Sequence, residues 1–165
     1  MNQHIPINYM TGDATRPAGV GPAIIAHICN DVGGWGAGFV MALSKRWKEP
    51  EAQYRLWFKG KIADAQPFSL GEVMLVEVGT GVHVANMIAQ HGIRWQGNEP
   101  PIRYEALDQA LGRLADAAHR IGASVHMPRI GCGLAGGTWE RVEPLIQSRL
   151  SDRGIAVVVY DFAES

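Results

Sequence analysis

At 165 residues with a formal net charge of −1, the chain is of one-domain size and lacks the basic excess that tracks duplex nucleic acid or an anionic membrane surface. Hydrophobic residues make up 47% and charged residues 19%, which is ordinary for a folded domain with a real core. Two cysteines, Cys29 and Cys132, give neither a disulfide framework nor a zinc spacing; no signal, transit or membrane-spanning segment is visible, so a cytoplasmic single domain over 1–165 is expected.

Ile5 to Met10 reads as an opening strand that ends in Thr11-Gly12-Asp13-Ala14-Thr15. Ile24 to Cys29 is a buried strand, followed by the glycine turn Asp31-Val32-Gly33-Gly34-Trp35-Gly36-Ala37-Gly38 and a helix to Trp47. Pro50 stands near the start of a second helix over Glu51 to Lys59, where proline is tolerated. Strands Glu72 to Val78 and Val82 to Ile88 are joined by the hairpin-like turn Gly79-Thr80-Gly81. A long loop from Gln90 to Pro101 carries Trp95. A helix over Tyr104 to Arg120 presents Leu107, Ala110, Leu111, Leu114 and Ala118 on one face. Strand Ser124 to Arg129 runs into Ile130-Gly131-Cys132-Gly133-Leu134-Ala135-Gly136-Gly137, then a helix readable as Trp139, Val142, Leu145, Ile146 and Leu150, with Thr138 placed to cap it. Ile155 to Phe162 is the last strand. Strands mixed with helices predict an α/β, three-layer fold with a mixed central sheet and helices on both faces.

The two glycine turns carry the chemistry. Each follows a strand and opens a helix, where free backbone N–H groups and the helix dipole favour an anion. Neither is a P-loop, since no Gly-Lys-Ser/Thr follows, and the glycine spacing is not that of the dinucleotide fingerprint. Two anion-cradling turns in one small domain predict a diphosphate gripped from both sides. Trp35, flanked by glycines, reads as a cover for that diphosphate. Trp95 reads equally as a partner contact or as packing. His27, inside an apolar strand, reads first as a satisfied core histidine.

The string Pro128 to Gly137, with Gly12-Asp13-Ala14-Thr15, Ala26 to Asn30 and Trp35 to Gly38, resembles the macrodomain family over nearly the whole chain. Within it the chain is similar to the branch of terminal ADP-ribose protein glycohydrolases and yeast-type ADP-ribose-1''-phosphate phosphatases. Val84 to Ile93 looks like a bacterial subgroup of that branch. The resemblance implies ADP-ribose, or an ADP-ribosylated macromolecule, as partner; no metal or cofactor and a monomer are expected, and the charge balance and lack of a spanning segment predict no membrane and no extended nucleic-acid footprint.

It also assigns parts. Asp13 would accept from the adenine amine with the Ala14 amide beside it, and Tyr160 or Phe162 could stack on the ring. The first loop, Gly33, Gly34, Trp35, Gly36, Ala37 and Gly38, would wrap one phosphate and the distal ribose. The second, Ile130, Gly131, Cys132, Gly133, Leu134, Ala135 and Gly136, would hold the other phosphate. The glycohydrolases rely on a lysine at the strand end matching Asn86 to Gln90 and an aspartate at the position of Ala135. This chain has neither. Near the expected distal ribose this leaves Asn30, Asp31, Trp35, Gln90 and His91; Asn30, Asp31 and His91 are the catalytic candidates, Asn30 to orient ribose hydroxyls while Asp31 or His91 handles protons, and His27 stands in a place similar to a histidine the yeast-type phosphatases use. A hydrolase that removes ADP-ribose from acidic side chains or from nucleic-acid ends is the favoured reading, with a reader without chemistry and an ADP-ribose-1''-phosphate phosphatase, which His27 favours, as the alternatives.

Overall fold

The computed structural model describes residues 5–162. Six strands form one sheet in the order β1-β6-β5-β2-β4-β3: β1 (Asn8–Thr11), β2 (Ala23–Asn30), β3 (Val73–Gly79), β4 (Val82–Gln90), β5 (Ser124–Met127) and β6 (Val157–Asp161). Only the β3–β4 hairpin is antiparallel; all other neighbours run parallel. Helices α1 (Phe39–Arg46) and α2 (Glu49–Phe58) belong to one layer, α3 (Tyr104–Ile121) and α4 (Trp139–Arg149) to the other.

Strand β2 shows why the layers form. Its side chains alternate, so Ile24 and Ala26 enter the core under α3 and α4, while Ile25 and Cys29 enter the core under α1 and α2. A strand covered on both faces reads as a continuous apolar run. Helix α3 buries Leu107, Ala110, Leu111, Leu114 and Ala118 on one stripe, and Gly122 ends it in the left-handed region at φ 66°.

Several boundaries shift from the sequence reading. β5 stops at Met127 because Pro128 begins a tight turn closed by Ile130 N–H donating to the Pro128 carbonyl at 2.7 Å. β4 continues to Gln90, which bridges to Ile102 and closes the long loop at its base. A short 3-10 turn, Ser151–Arg153, precedes the last strand, which starts at Val157 instead of Ile155. Thr138 holds the cap position of α4 with extended backbone, but its hydroxyl makes no cap hydrogen bond; its N–H donates to the Tyr104 hydroxyl at 3.1 Å. No helix among the described residues is long and apolar enough to cross a membrane.

Candidate functional site

The carboxyl ends of β1, β6, β5, β2 and β4 share one edge of the sheet. The chain leaves β2 toward β4 on one side, and β5 lies on the other, so the loops after β2 and β5 stand beside each other where the strand order reverses. Such a point opens a crevice. Both glycine loops border it.

The second loop is built by close contacts that exclude side chains. At Gly131 (φ +75°) a Cβ would lie 2.6 Å from Ile102 Cδ1, and at Gly137 one would lie 2.6 Å from the Gly131 carbonyl oxygen. Gly137 N–H donates to that same carbonyl at 2.7 Å, which folds the loop onto itself. Gly133 differs: a Cβ there meets nothing within 4 Å. It faces a cavity of about 200 Å³ whose walls include Ala37, Gly38, Ile130, Gly131 and Ala135. The N–H groups of Gly133, Leu134 and Ala135 donate to no acceptor among the described residues, and neither do those of Gly36, Ala37 and Gly38 across the cleft. Unpaired donors on facing loops are what an anion needs.

The loops touch. A Cβ at Gly38 would sit 3.7 Å from Leu134 Cδ1, and Leu134 divides the crevice into two lobes. The second lobe, about 190 Å³, is walled by Asn30, Gly34, Trp35, Gly36, Ile93 and Leu134; Ala37 and Gln90 border both lobes. Cys132 is absent from either wall. Its Sγ donates to the Ile130 carbonyl at 3.4 Å, and burial raises its pKa, so it stays a thiol. Gly136 lies behind the loop, under the Trp95 ring and Pro100. Trp95 therefore packs one edge on the loop and leaves about half its surface in solvent.

Asn30 organises the first loop. Its Oδ1 accepts from Val32 N–H and Gly34 N–H, both at 3.0 Å, and its Nδ2 donates to the Gly34 carbonyl at 3.0 Å. The Tyr54 hydroxyl reaches the Asn30 carbonyl at 2.6 Å and Oδ1 at 2.8 Å. One Nδ2 hydrogen remains for a ligand. Gly33 is buried beneath Phe58, whose ring lies 2.5 Å from where its Cβ would be, so it shapes the loop without facing the cleft.

Trp35 overturns the expectation of a cover. It is buried, its Nε1–H donates to Ser44 Oγ at 2.8 Å, and its ring sits between His27 and Tyr54 at 5.4 and 5.5 Å. It is the floor of the second lobe. Its glycine neighbours let the backbone turn inward, which carries the indole under the loop instead of over it.

Asp31 and His91, sixty residues apart, form a pair. His91 Nδ1 lies 2.7 Å from Asp31 Oδ2, and Asp31 Oδ1 accepts from Gly92 N–H at 2.8 Å. Their chain neighbours Asn30 and Gln90 line the cleft; the pair itself stands one residue beyond them, on neither wall.

At the opposite end, Asp13 spends Oδ1 on Thr15 N–H and hydroxyl at 2.8 and 2.7 Å, which leaves Oδ2 directed to no closer partner than Arg16 at 4.0 Å. Asp13 and the buried Ala14 follow β1 beside β6, outside the two lobes. Of the two aromatic candidates, Tyr160 is enclosed: its hydroxyl accepts from Ala18 N–H at 2.8 Å and donates to His126 Nδ1 at 2.7 Å. Phe162 is the one left exposed on this edge, which corrects the pairing of the two as equals. Arg129 grips Asp161 with both Nε and Nη2, at 2.6 and 3.0 Å, and spans the Tyr9 and Trp139 rings.

Residues not anticipated from sequence include Tyr54, Phe58, Ile93 and Ile102, the braces and rims of the two loops. Tyr54 and Phe58 read only as turns of a helix, and nothing local marks which glycine each will cover.

His27 is buried and also lines the first lobe; its Nε2 is bonded but its Nδ1 has no partner among the described residues, so it is not the fully satisfied core histidine expected. Asn86 donates its amide to the Pro50 carbonyl at 3.1 Å, so its oxygen accepts from His27 Nε2–H at 2.5 Å. Burial pushes the His27 pKa from 6.5 to about 4, against the Asn86 bond that raises it, and burial also takes His126 to about 4. Both rings fold neutral. The unfolded chain binds more protons than the folded one between about 6.5 and about 4, so stability is held above that window and lost as pH falls through it. Each histidine contributes a slope of up to ~1.4 kcal/mol per pH unit. Urea midpoints taken from neutral pH downward are expected to fall through this window, less steeply in His27→Gln than in the parent; equal slopes would contradict the assignment.

No family model matches the chain. A macrodomain protein from Streptomyces coelicolor is 56% identical, with 96% of this chain and 100% of that one aligned at a TM-score of 0.84. The macrodomain of Mycobacterium tuberculosis DarG is 26% identical over 94% and 97% of the two chains, TM-score 0.74. Among curated proteins, the mouse chromodomain-helicase-DNA-binding protein 1-like is 38% identical over 96% of this chain, which spans only 18% of that protein's length. The ADP-ribose 1''-phosphate phosphatase of Lodderomyces elongisporus is 25% identical over 94% of this chain and 99% of its own. The full-length alignment to the Streptomyces protein, joined to the mixed sheet and its paired glycine loops, establishes that this chain belongs to the macrodomain family.

Proposed function

We propose that the cleft binds ADP-ribose and that the protein hydrolyses ADP-ribosyl esters of carboxylate side chains, acting as a cytoplasmic monomer. The observation that carries the binding is the convergence of two loops whose unpaired amides face one crevice. The diphosphate lies between Gly36–Gly38 and Gly133–Ala135. Adenine lies toward Asp13 and Phe162, and the distal ribose lies in the lobe of Asn30, Gly34 and Gln90. Supporting relatives are the DarG macrodomain and the yeast phosphatase, whose name specifies an ADP-ribose ester.

The chemistry uses water, because no lysine stands at the β4 end to form an adduct. His91 Nδ1–H donates to Asp31, which fixes the tautomer and leaves Nε2 as the base. A water gives its proton to Nε2 as its oxygen bonds to C1''; the C1''–O bond to the carrier breaks, and the carboxylate leaves with the bonding pair. Asn30 Nδ2 steadies a ribose hydroxyl. The Lodderomyces relative favours a second reading, in which the same lobe receives the 1''-phosphate monoester.

The two are separated by incubating the protein with a glutamate-linked ADP-ribosyl peptide and with ADP-ribose-1''-phosphate. Release of ADP-ribose from the peptide at the greater rate is the expected result; faster phosphate release would replace the first reading by the second. At the other end of the ligand, Asp13→Ala is expected to weaken ADP-ribose binding by about 1–3 kcal/mol, the scale of a hydrogen bond to a charged group. Calorimetry showing parent affinity would place the adenine contact elsewhere.

A further inference from the structure

A buried phenol stands behind the distal lobe. Tyr54, on α2, has no exposed surface, and its ring lies 5.5 Å from that of Trp35 and 5.6 Å from that of Phe68. Packing of that kind is available to phenylalanine as well. The hydroxyl is what needs a reason, because a buried polar group costs stability unless it is hydrogen-bonded. Both acceptors in its reach belong to Asn30: the main-chain carbonyl at 2.6 Å and Oδ1 at 2.8 Å. Burial raises the phenol pKa, so the proton stays in place to donate. Helix α2 is itself tied down, with Asn86 Nδ2 donating to the Pro50 carbonyl at 3.1 Å and Trp57 Nε1–H to the Gln66 carbonyl at 2.7 Å.

Asn30 stands where the sheet does not set its side chain. The β2–β4 ladder slips there, Cys29 pairing with Ile88 and Asn30 with Gln90, and such slips re-aim side chains beside functional sites. Three donors converge on Asn30 Oδ1: the N–H groups of Val32 and Gly34 and the Tyr54 hydroxyl. The first two belong to the glycine loop and move with it. The third comes from α2 and refers the amide plane to the packed helix layer. An amide turned end for end would set Nδ2–H against the Val32 and Gly34 N–H groups, so its orientation is unique. A Cβ at Gly34 would lie 3.0 Å from Nδ2 and 3.1 Å from Ile93 Cδ1, and all three residues wall the second lobe. The missing Cβ leaves the spare Nδ2 hydrogen uncovered.

We propose that Tyr54 is a positioning residue for the distal ribose: its hydroxyl sets the Asn30 amide so that the spare Nδ2 hydrogen meets a ribose hydroxyl, and the cleft thereby distinguishes ADP-ribose from ADP. This rests on the ADP-ribose reading of the cleft and adds to it the residue behind that preference. Tyr54 lines neither lobe, and its hydroxyl bonds go to Asn30 and not to the amides of Gly36–Gly38 or Gly133–Ala135. Its effect on a ligand therefore passes through Asn30 and is confined to the ribose end.

The test is calorimetry with two ligands, ADP-ribose and ADP, which lacks the distal ribose. Tyr54→Phe keeps the ring and removes the hydroxyl. It is expected to weaken ADP-ribose binding about tenfold, the scale of one hydrogen bond, and to leave ADP binding unchanged. In an Asn30→Ala background the same substitution is expected to cost nothing further, because a residue that acts through Asn30 has nothing left to position. Thermal melts establish the fold of each variant. Equal losses for both ligands, undiminished ADP-ribose affinity in folded Tyr54→Phe, or a full additional loss in the Asn30→Ala background would overturn the proposal. A second measurement needs no variant: in isotopically labelled parent the Asn30 side-chain N–H resonances are expected to shift with ADP-ribose and not with ADP, and equal shifts would also overturn it. Failure of ADP-ribose to bind the parent at all would instead remove the functional reading beneath it.

Discussion

Gly133→Glu is expected to abolish ADP-ribose binding while leaving the fold intact. A Cβ at this position meets no neighbouring side chain or backbone within 4 Å, so the first atom of the new side chain enters open space. The same open space is the cleft wall opposite Gly38. A carboxylate placed there fills the volume of the phosphate and repels its charge, a penalty of several kcal/mol. The affinity loss is therefore expected to be at least about 100-fold, or ~3 kcal/mol. The melting temperature should stay near the parent's, in contrast to Gly137→Ala, where the new Cβ would lie 2.6 Å from a backbone oxygen and the loop itself must shift. Calorimetry beside thermal melts reads both. Undiminished affinity in a folded Gly133→Glu protein would remove the second loop from the site.

The second large effect concerns turnover. Asp31→Asn keeps an oxygen to accept from Gly92 N–H but presents an amide N–H to His91 Nδ1. The imidazole must then carry its proton on Nε2, where it can no longer accept one from water. A positioned general base contributes typically 10²–10⁴-fold, so ester hydrolysis is expected to fall by roughly that factor with ADP-ribose affinity within about twofold of the parent. His91→Ala should match it, and the double variant should lose little more, because the two act as one unit. Parent-like turnover in Asp31→Asn would make the pair a brace for the loop after β4 and nothing else.

How much of this was legible before the fold was known depends on distance along the chain. The strands and helices were, because each is set by its own periodicity and its own glycines; the errors fall at ends fixed by partners, as where Pro128 cuts β5 short. The two glycine loops were legible for the same reason. What each glycine does was not. Gly131 and Gly137 are held by Ile102 and by each other, Gly33 by Phe58, while Gly36 and Gly133 are open, a distinction that needs the neighbours in place.

Trp35 shows the limit most clearly. Its glycine flanks suggest exposure, yet Ser44 and Tyr54, on two later helices, draw it inward. Asp31 and His91 could each be suspected singly, but their pairing depends on β2 and β4 being neighbours in register. Tyr160 and Phe162 differ by two positions, which strand alternation would place on one face; β6 ends at Asp161, and that single step frees Phe162 from the rule.

The most direct measurement of the central claim is an ADP-ribose titration of isotopically labelled protein followed by amide resonances. The amides of Gly36, Ala37 and Gly38 and those of Gly133, Leu134 and Ala135 are expected to shift together, saturating with a single dissociation constant. A response confined to one loop, or two loops that saturate at different concentrations, would contradict a shared diphosphate held between them.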